Sequence, residues 1–185
     1  MAERARTPLT LDEFLAWDDG TDQRYELIDG EIVAMAPPMA AHGTLAVNIA
    51  GELRNRLRAP CRAFAEAGIV RPERTDTFYQ ADLAISCTPA GPKDRWIRDP
   101  LVIIEVLSPS TAAHDRGIKL LGYREVASVR EILLIDSERQ RAELWQRTPT
   151  GWTVTDLVGD ATIPLPSLGC ELPMSAFYDG VALAS

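Results

Sequence analysis

Glu105 lies inside Leu101-Val102-Ile103-Ile104-Glu105-Val106-Leu107, an apolar run rich in β-branched residues and closed by Ser108-Pro109-Ser110. Such a run reads as a strand covered on both faces, at the centre of a sheet rather than at its rim. A carboxylate in that place is costly without a partner, and an unpaired one takes up a proton instead. The fold must therefore supply Glu105 with a cationic side chain or a metal ion.

The surrounding segments indicate what can cover such a strand. Thr10 and Glu13 have capping-box spacing at the head of a short helix over residues 9–18. Asp29-Gly30, between two apolar-rich runs, predicts a β-hairpin. Leu45, Ile49, Leu53 and Leu57 recur every four positions and predict an amphipathic helix over 41–58, stopped by Pro60. Three strands are expected at 62–70, 80–86 and 101–107, with 89–100 as a surface loop. A helix over 114–126 follows, with Ile118, Leu120 and Leu121 as its apolar contacts. Strands at 131–136, 141–146 and 152–157 come next, and the proline-bearing tail at 163–177 reads as irregular structure. The order predicts an α/β fold, a mixed central sheet flanked by helices, with an N-terminal hairpin and a C-terminal strand extension. At 185 residues, 46% hydrophobic and 25% charged, the chain is read as one domain over residues 1–185, its core at about 11–177.

Charge and cysteine usage narrow the setting. The net charge of −8 counts against tight, non-specific binding of nucleic acid by a monomer. Arg54, Arg56, Arg58 and Arg62 nevertheless cluster, either as a solvated helix face or as a local basic patch. The first twenty residues are charged and read as no signal peptide, and no apolar segment is long enough to cross a bilayer. Cys61, Cys87 and Cys170 have no zinc-type spacing and are expected as reduced thiols, which implies a cytoplasmic setting without membrane association.

A second acid in apolar surroundings, Asp82, lies in Ala81-Asp82-Leu83-Ala84-Ile85, on the strand before that of Glu105. If the two strands are neighbours, the carboxylates can reach one hard divalent cation. Mg²⁺ uses one or two protein carboxylates, keeps waters and adds substrate phosphate oxygens, which suits hydrolysis of a phosphodiester. Lys119, on the helix after the Glu105 strand, can return over that strand and orient or deprotonate water, or stabilise a developing oxyanion. The alternatives are a turn-capping Asp82, a structural ion pair at Glu105 and a solvated Lys119 paired with Asp115. His42 and His114 are too isolated for a zinc site, Ser108 and Ser110 lack a Gly-x-Ser-x-Gly context, and no Gly-rich phosphate loop occurs.

Arg-Tyr-Glu-Leu-Ile-Asp-Gly-Glu at 24–31, Ala-Asp-Leu-Ala at 81–84 and Leu-Val-Ile-Ile-Glu-Val-Leu-Ser-Pro-Ser-Thr at 101–111, followed by Asp115, Lys119, Tyr123 and Ile-Leu-Leu-Ile-Asp at 132–136, resemble one family closely. It is the putative restriction endonuclease family, long a domain of unknown function and abundant in cyanobacteria, within the PD-(D/E)xK nuclease superfamily. The resemblance implies a restriction-endonuclease-like core and Mg²⁺-dependent cleavage of DNA, with Mn²⁺ able to substitute. By position, Asp82 is the motif aspartate and Glu105 the motif acid, both expected at the metal. Ala81 replaces the motif proline and Leu107 occupies the motif lysine's slot, so the resemblance points to Lys119 as a lysine displaced to the next helix. Glu26 is a further catalytic candidate, or else a residue alternating outward on the hairpin. His42 and Tyr123 are supporting candidates. A two-fold homodimer would place two sites on opposite DNA strands. The competing reading is a catalytically inactive nucleic-acid-binding or protein-interaction module on the same fold.

Overall fold

The computed structural model describes residues 8–183. Its centre is an eight-stranded sheet in the order β2-β1-β4-β5-β6-β7-β8, with β3 paired to β4 off this path. The strands are β1 (Tyr25–Ile28), β2 (Glu31–Ala34), β3 (Arg62–Val70), β4 (Phe78–Ser86), β5 (Pro100–Leu107), β6 (Glu131–Asp136), β7 (Arg141–Thr148) and β8 (Gly151–Val158). β5 and β6 run parallel and the other pairs antiparallel, so the expected mixed sheet is present.

Alternation along β5 decides what covers each face. Val102, Ile104 and Val106 meet the Leu45, Ile49 and Leu53 stripe of helix α2 (Ala40–Arg56). Burial of each such side chain is worth roughly 1.5–3 kcal/mol. Ile103 and Leu107 point the opposite way, toward Leu120, Tyr123 and Val126. That second face is covered by one continuous helical segment: α3 (Ala112–His114), a π-helical turn over Asp115–Lys119, and α4 (Leu120–Glu125). A short helix, α1 (Leu11–Ala16), has the expected capping box from Thr10 and Glu13 and packs Phe14 against Phe78. The β1–β2 turn puts both Asp29 (φ 49°) and Gly30 (φ 81°) in the left-handed region, the pattern of a type I′ hairpin.

Three expectations need correction. Ile118 and Leu121 are exposed, and the residues turned inward are Asp115, Lys119, Leu120 and Tyr123. Asp115, Lys119 and Tyr123 recur every four positions, so the inward face follows helical periodicity but carries a buried ion cluster in place of the expected apolar residues. The tail is ordered: β9 (Thr162–Leu165) and β10 (Cys170–Pro173) form a two-stranded sheet, followed by α5 (Met174–Phe177). Its prolines are tolerated because a two-stranded sheet consists of edges, where a missing N–H costs no ladder bond. Cys61 and Cys87 are joined in a disulfide instead of being free thiols, because pairing of Arg62 with Ser86 brings their neighbours together. Cys170 remains free.

The alternation of faces inverts within β3 and β4 at one place. On β4, Tyr79 and Ala81 join the Tyr123 side, whereas Leu83 and Ile85 join the Leu45 side. On β3, Ala63 and Phe64 lie on opposite sides, while Ala67 and Ile69 share the Tyr123 side. The inversion falls at Glu66 and Asp82, where Glu66 adopts φ 50°, a conformation that costs a non-glycine residue about 1–2 kcal/mol. Asp82 is thereby released from the sheet's packing pattern.

Behind this point, helix α4 meets the sheet through a glycine. A Cβ at Gly122 would lie 2.4 Å from the Tyr79 ring, which in turn packs edge-on against Tyr123 with centroids 5.4 Å apart. Gly122→Ala is expected to force the rings apart and lower stability by about 1–3 kcal/mol, read by urea unfolding.

Candidate active site

The β4–β5 ladder ends at the pair Leu83↔Ile104, and the next residues along each strand are Asp82 and Glu105. Beyond them the strands diverge, and side chains replace the missing backbone bonds. The Asp82 amide donates to Glu105 Oε2 at 3.2 Å, and the Val106 amide donates to Asp82 Oδ2 at 2.7 Å. The Gln80 amide donates to Glu26 Oε1 at 2.8 Å, and the Gln80 carbonyl accepts from Lys119 Nζ at 3.0 Å. A gap in the sheet between β1 and β5 is thus lined by the acids and the lysine singled out in the sequence.

Lys119 is the hub of this gap. Its Nζ lies 2.8 Å from Glu105 Oε1, 3.1 Å from Glu26 Oε1 and 3.5 Å from Asp115 Oδ1. The relative exposures are 3% for Lys119, 2% for Glu105, 3% for Glu26 and 5% for Asp115, so the whole set is removed from water. Tyr123, fully buried, donates its hydroxyl to Glu105 Oε1. His42 Nε2, from the first turn of α2, lies 3.1 Å from Asp82 Oδ1. Of the predicted residues, Asp82, Glu105, Lys119, Glu26, His42 and Tyr123 all converge on this fork. Glu26 does not alternate outward, and Lys119 is not a solvated helix lysine.

Burial alone would depress the Lys119 ammonium, but the charges of Glu105, Glu26 and Asp115 outweigh it and hold the proton far above the usual lysine range. Burial pushes Glu105 well up, against the pull of Lys119 and with added repulsion from Asp82 and Asp115. Burial also dominates the upward shift of Asp115. Glu26 goes the other way: its burial is outweighed by the His114 hydrogen bond, the Lys119 charge and the Gln80 amide. The hydrogen bond to Asp82 raises the His42 imidazole despite partial burial. Lys119 is thus held as an ammonium by the carboxylates around it.

Three carboxylates, those of Glu26, Glu105 and Asp115, contact this lysine, and a fourth, that of Asp82, lies beside them, its residue joined to Glu105 through the Asp82 amide. Two of them, Asp82 and Glu105, meet at the fork, and the Asp82 side chain, 18% exposed, opens to a cleft of about 270 Å³. Among the described residues no three Asp, Glu, His or Cys side chains converge as a ready-made metal cage. Two carboxylates in excess negative charge, with the remaining positions left to water and substrate oxygens, fit a hard divalent cation of the Mg²⁺ type.

Two groups escaped the sequence reading. Gln80 contributes through its backbone, which no side-chain pattern reveals. His114, set aside with His42 as too isolated for zinc, places Nε2 3.3 Å from Glu26 Oε2; its position just before Asp115 on the helix of Lys119 was the available signal.

The ion cluster makes a thermodynamic prediction. Lys119→Met leaves buried carboxylates uncompensated and is expected to cost about 3–5 kcal/mol at pH 7.5. In the wild type, Glu26 is depressed, so its contribution is present above its unfolded pKa and is lost as pH falls through the folded value. In the variant the same carboxyl is expected to be raised, so its penalty fades on acidification. Urea unfolding at pH 7.5 and pH 5 should therefore show the gap between the two proteins narrowing at the lower pH.

Comparisons with known proteins agree with this architecture. The profile of the Uma2 family, described as a putative restriction endonuclease, matches residues 11–175. Two uncharacterised Synechocystis proteins are similar along most of their length. One, slr1290, is 26% identical over 177 residues, covering 94% of this chain and 93% of its own. The other, sll1609, is 29% identical over 159 residues, covering 82% and 89%. A crystal structure of a putative nuclease belonging to DUF820 from Anabaena variabilis superposes with a TM-score of 0.71 at 23% identity, covering 94% of this chain and 99% of that one. At that identity the likeness speaks to the fold, while the profile spans the whole eight-stranded sheet and the fork: the chain belongs to the Uma2 family of putative restriction endonucleases.

Proposed function

We propose that the chain is a divalent-metal-dependent endonuclease that hydrolyses phosphodiester bonds in DNA at the β4–β5 fork. The observation that carries this reading is the buried Lys119 ammonium, 2.8 Å from Glu105, at the point where Glu105 and Asp82 meet. Family membership supports nuclease chemistry in general terms.

In this reading Asp82 and Glu105 hold the cation, with Mg²⁺ the expected ion and Mn²⁺ able to replace it. The bound cation supplies an activated water and offsets phosphate charge. The residues of the chain do the rest. Lys119 presents a permanent positive charge toward the oxygens that gain negative charge. Glu26 and Tyr123 fix the Lys119–Glu105 pair, Glu26 through the ammonium and Tyr123 through the carboxylate. His42 holds Asp82 at the mouth of the cleft. The Cys61–Cys87 disulfide removes the free-thiol argument for a cytoplasmic setting, which then rests on the nuclease reading alone. A two-fold homodimer would bring two such forks together, each acting on one strand. No helix among the described residues is long and apolar enough to cross a membrane.

One observation favours the inactive alternative. Lys119 already makes three short polar contacts, to the Gln80 carbonyl, Glu26 and Glu105, and Leu107 in the motif lysine's slot is buried. Cleavage of supercoiled plasmid and of a single-stranded oligonucleotide, with Mg²⁺ or Mn²⁺, separates the two. Wild-type protein is expected to cut only with metal, and Asp82→Asn and Glu105→Gln are each expected to lose about a hundredfold or more while remaining folded. Undiminished cutting by Glu105→Gln would overturn the reading.

A further inference from the structure

A second cleft, of about 340 Å³, opens between α1, β1 and β4. Its lining includes Trp17, Gln23, Tyr25, Glu66, Gln80 and Arg95. Trp17 caps the C-terminal end of α1 and stands 37% exposed, edge-on to Tyr25 with ring centroids 4.8 Å apart. The Gln23 side chain is fixed by donating to the Arg24 carbonyl at 3.0 Å and the Met35 carbonyl at 2.7 Å, which leaves its Oε1 as an acceptor. Tyr25 is fixed in turn by its hydroxyl's bond to Asp19. The walls are thus pre-set, with an aromatic ring at the mouth.

This cleft is joined to the candidate active site. Glu66, the residue in the left-handed conformation opposite the fork, lines both this cleft and the one containing Asp82 and His42. Gln80, whose side chain faces the cleft, is the residue whose amide and carbonyl hold Glu26 and Lys119. It stands two positions from Asp82, about 6.6 Å along an extended strand. That is the scale of one step between neighbouring nucleotides.

The lining chooses among occupants. Asp18 and Asp19 outnumber Arg95, and Glu66 is already paired with Arg24, so the lining holds no surplus positive charge for a phosphate. An aromatic face and carboxylate and amide acceptors suit a flat, neutral ring with N–H donors. Building on the nuclease reading, we propose that this cleft takes one unstacked nucleobase of the DNA strand beside the cleaved phosphodiester, and prefers the bases with an exocyclic amino group (adenine, cytosine and guanine), which can donate to the acidic wall, over thymine, which has none. A paired, stacked base cannot enter such a cleft. The substrate class is therefore single-stranded DNA, or a duplex with an unpaired nucleotide.

Two measurements test this separately from catalysis. The first follows fluorescence of an oligonucleotide carrying one 2-aminopurine, without divalent metal, as single strand and as full duplex. Wild-type protein is expected to change the single-strand signal and not the duplex signal, and Trp17→Leu, which keeps apolar bulk without a π face, to weaken binding roughly tenfold. The second measures Mg²⁺-dependent cleavage of single strands in which an abasic position is moved along the chain. One position is expected to raise KM about tenfold for the wild type and to leave Trp17→Leu unchanged. Absence of any 2-aminopurine response, or equal Trp17→Leu losses on intact and abasic strands, would overturn the proposal. A normal response without cleavage keeps the base site and removes the nuclease. Cleavage of paired duplex at the single-strand rate, indifferent to abasic positions, keeps the nuclease and removes the base site.

Discussion

A single buried ammonium ties the two halves of the site together. Lys119 comes from the π turn, Glu26 from β1, Glu105 from β5, and the Gln80 carbonyl from β4, so one charge joins three strands to a helix on the opposite side of the sheet. In water each of these contacts would be worth little, but out of water the same contacts become obligatory because each partner left alone would be a buried charge. The helix serves this demand by turning Asp115, Lys119 and Tyr123, four residues apart, inward and leaving Ile118 and Leu121 in solvent.

The gap in the sheet explains why the chemistry sits where it does. A continuous β4 edge would have satisfied its own backbone and offered no place for a substrate. Here the edge is interrupted between Leu27↔Phe78 and Leu83↔Ile104, and carboxylates substitute for the missing strand. The same interruption coincides with the inversion of faces at Glu66 and Asp82. The backbone strain at Glu66 therefore lies at the site and not at an arbitrary turn. At the far end of the β3–β4 pair, Cys61 and Cys87 clasp the strands, so the pair is fixed beyond its last ladder residues while the other edge of β4 is open between β1 and β5.

Much of this was legible in residue order. The α2 stripe of Leu45, Ile49 and Leu53 and the strands at β3 and β6 follow from periodicity, because tertiary packing there reinforces local preference. Asp82 and Glu105 stood out because acids in apolar strands need a reason. What residue order concealed was of three kinds. The inward face of the helix after β5 carries Asp115 and Lys119, charged residues that apolarity assigns to solvent. The order in the tail depends on edge pairing that accommodates Pro164 and Pro173. The Cys61–Cys87 pair depends on an antiparallel register linking residues far apart in the chain. Glu26 lay between, since alternation on a short strand permits either face and only the position of Lys119 decides.

The carboxylate-held amides of Gln80 and Asp82 have a consequence for observing the protein at work. In an ordinary sheet an amide proton exchanges with solvent when the strands part. Here the two amides are guarded by side chains that titrate and, in the proposed chemistry, by one that binds a cation. Their hydrogen exchange is therefore coupled to the occupancy of the site as well as to the opening of the fold. The backbone of β4 carries its own readout, in which a proton or an ion arriving at Glu26 or Glu105 is recorded one bond away on the main chain.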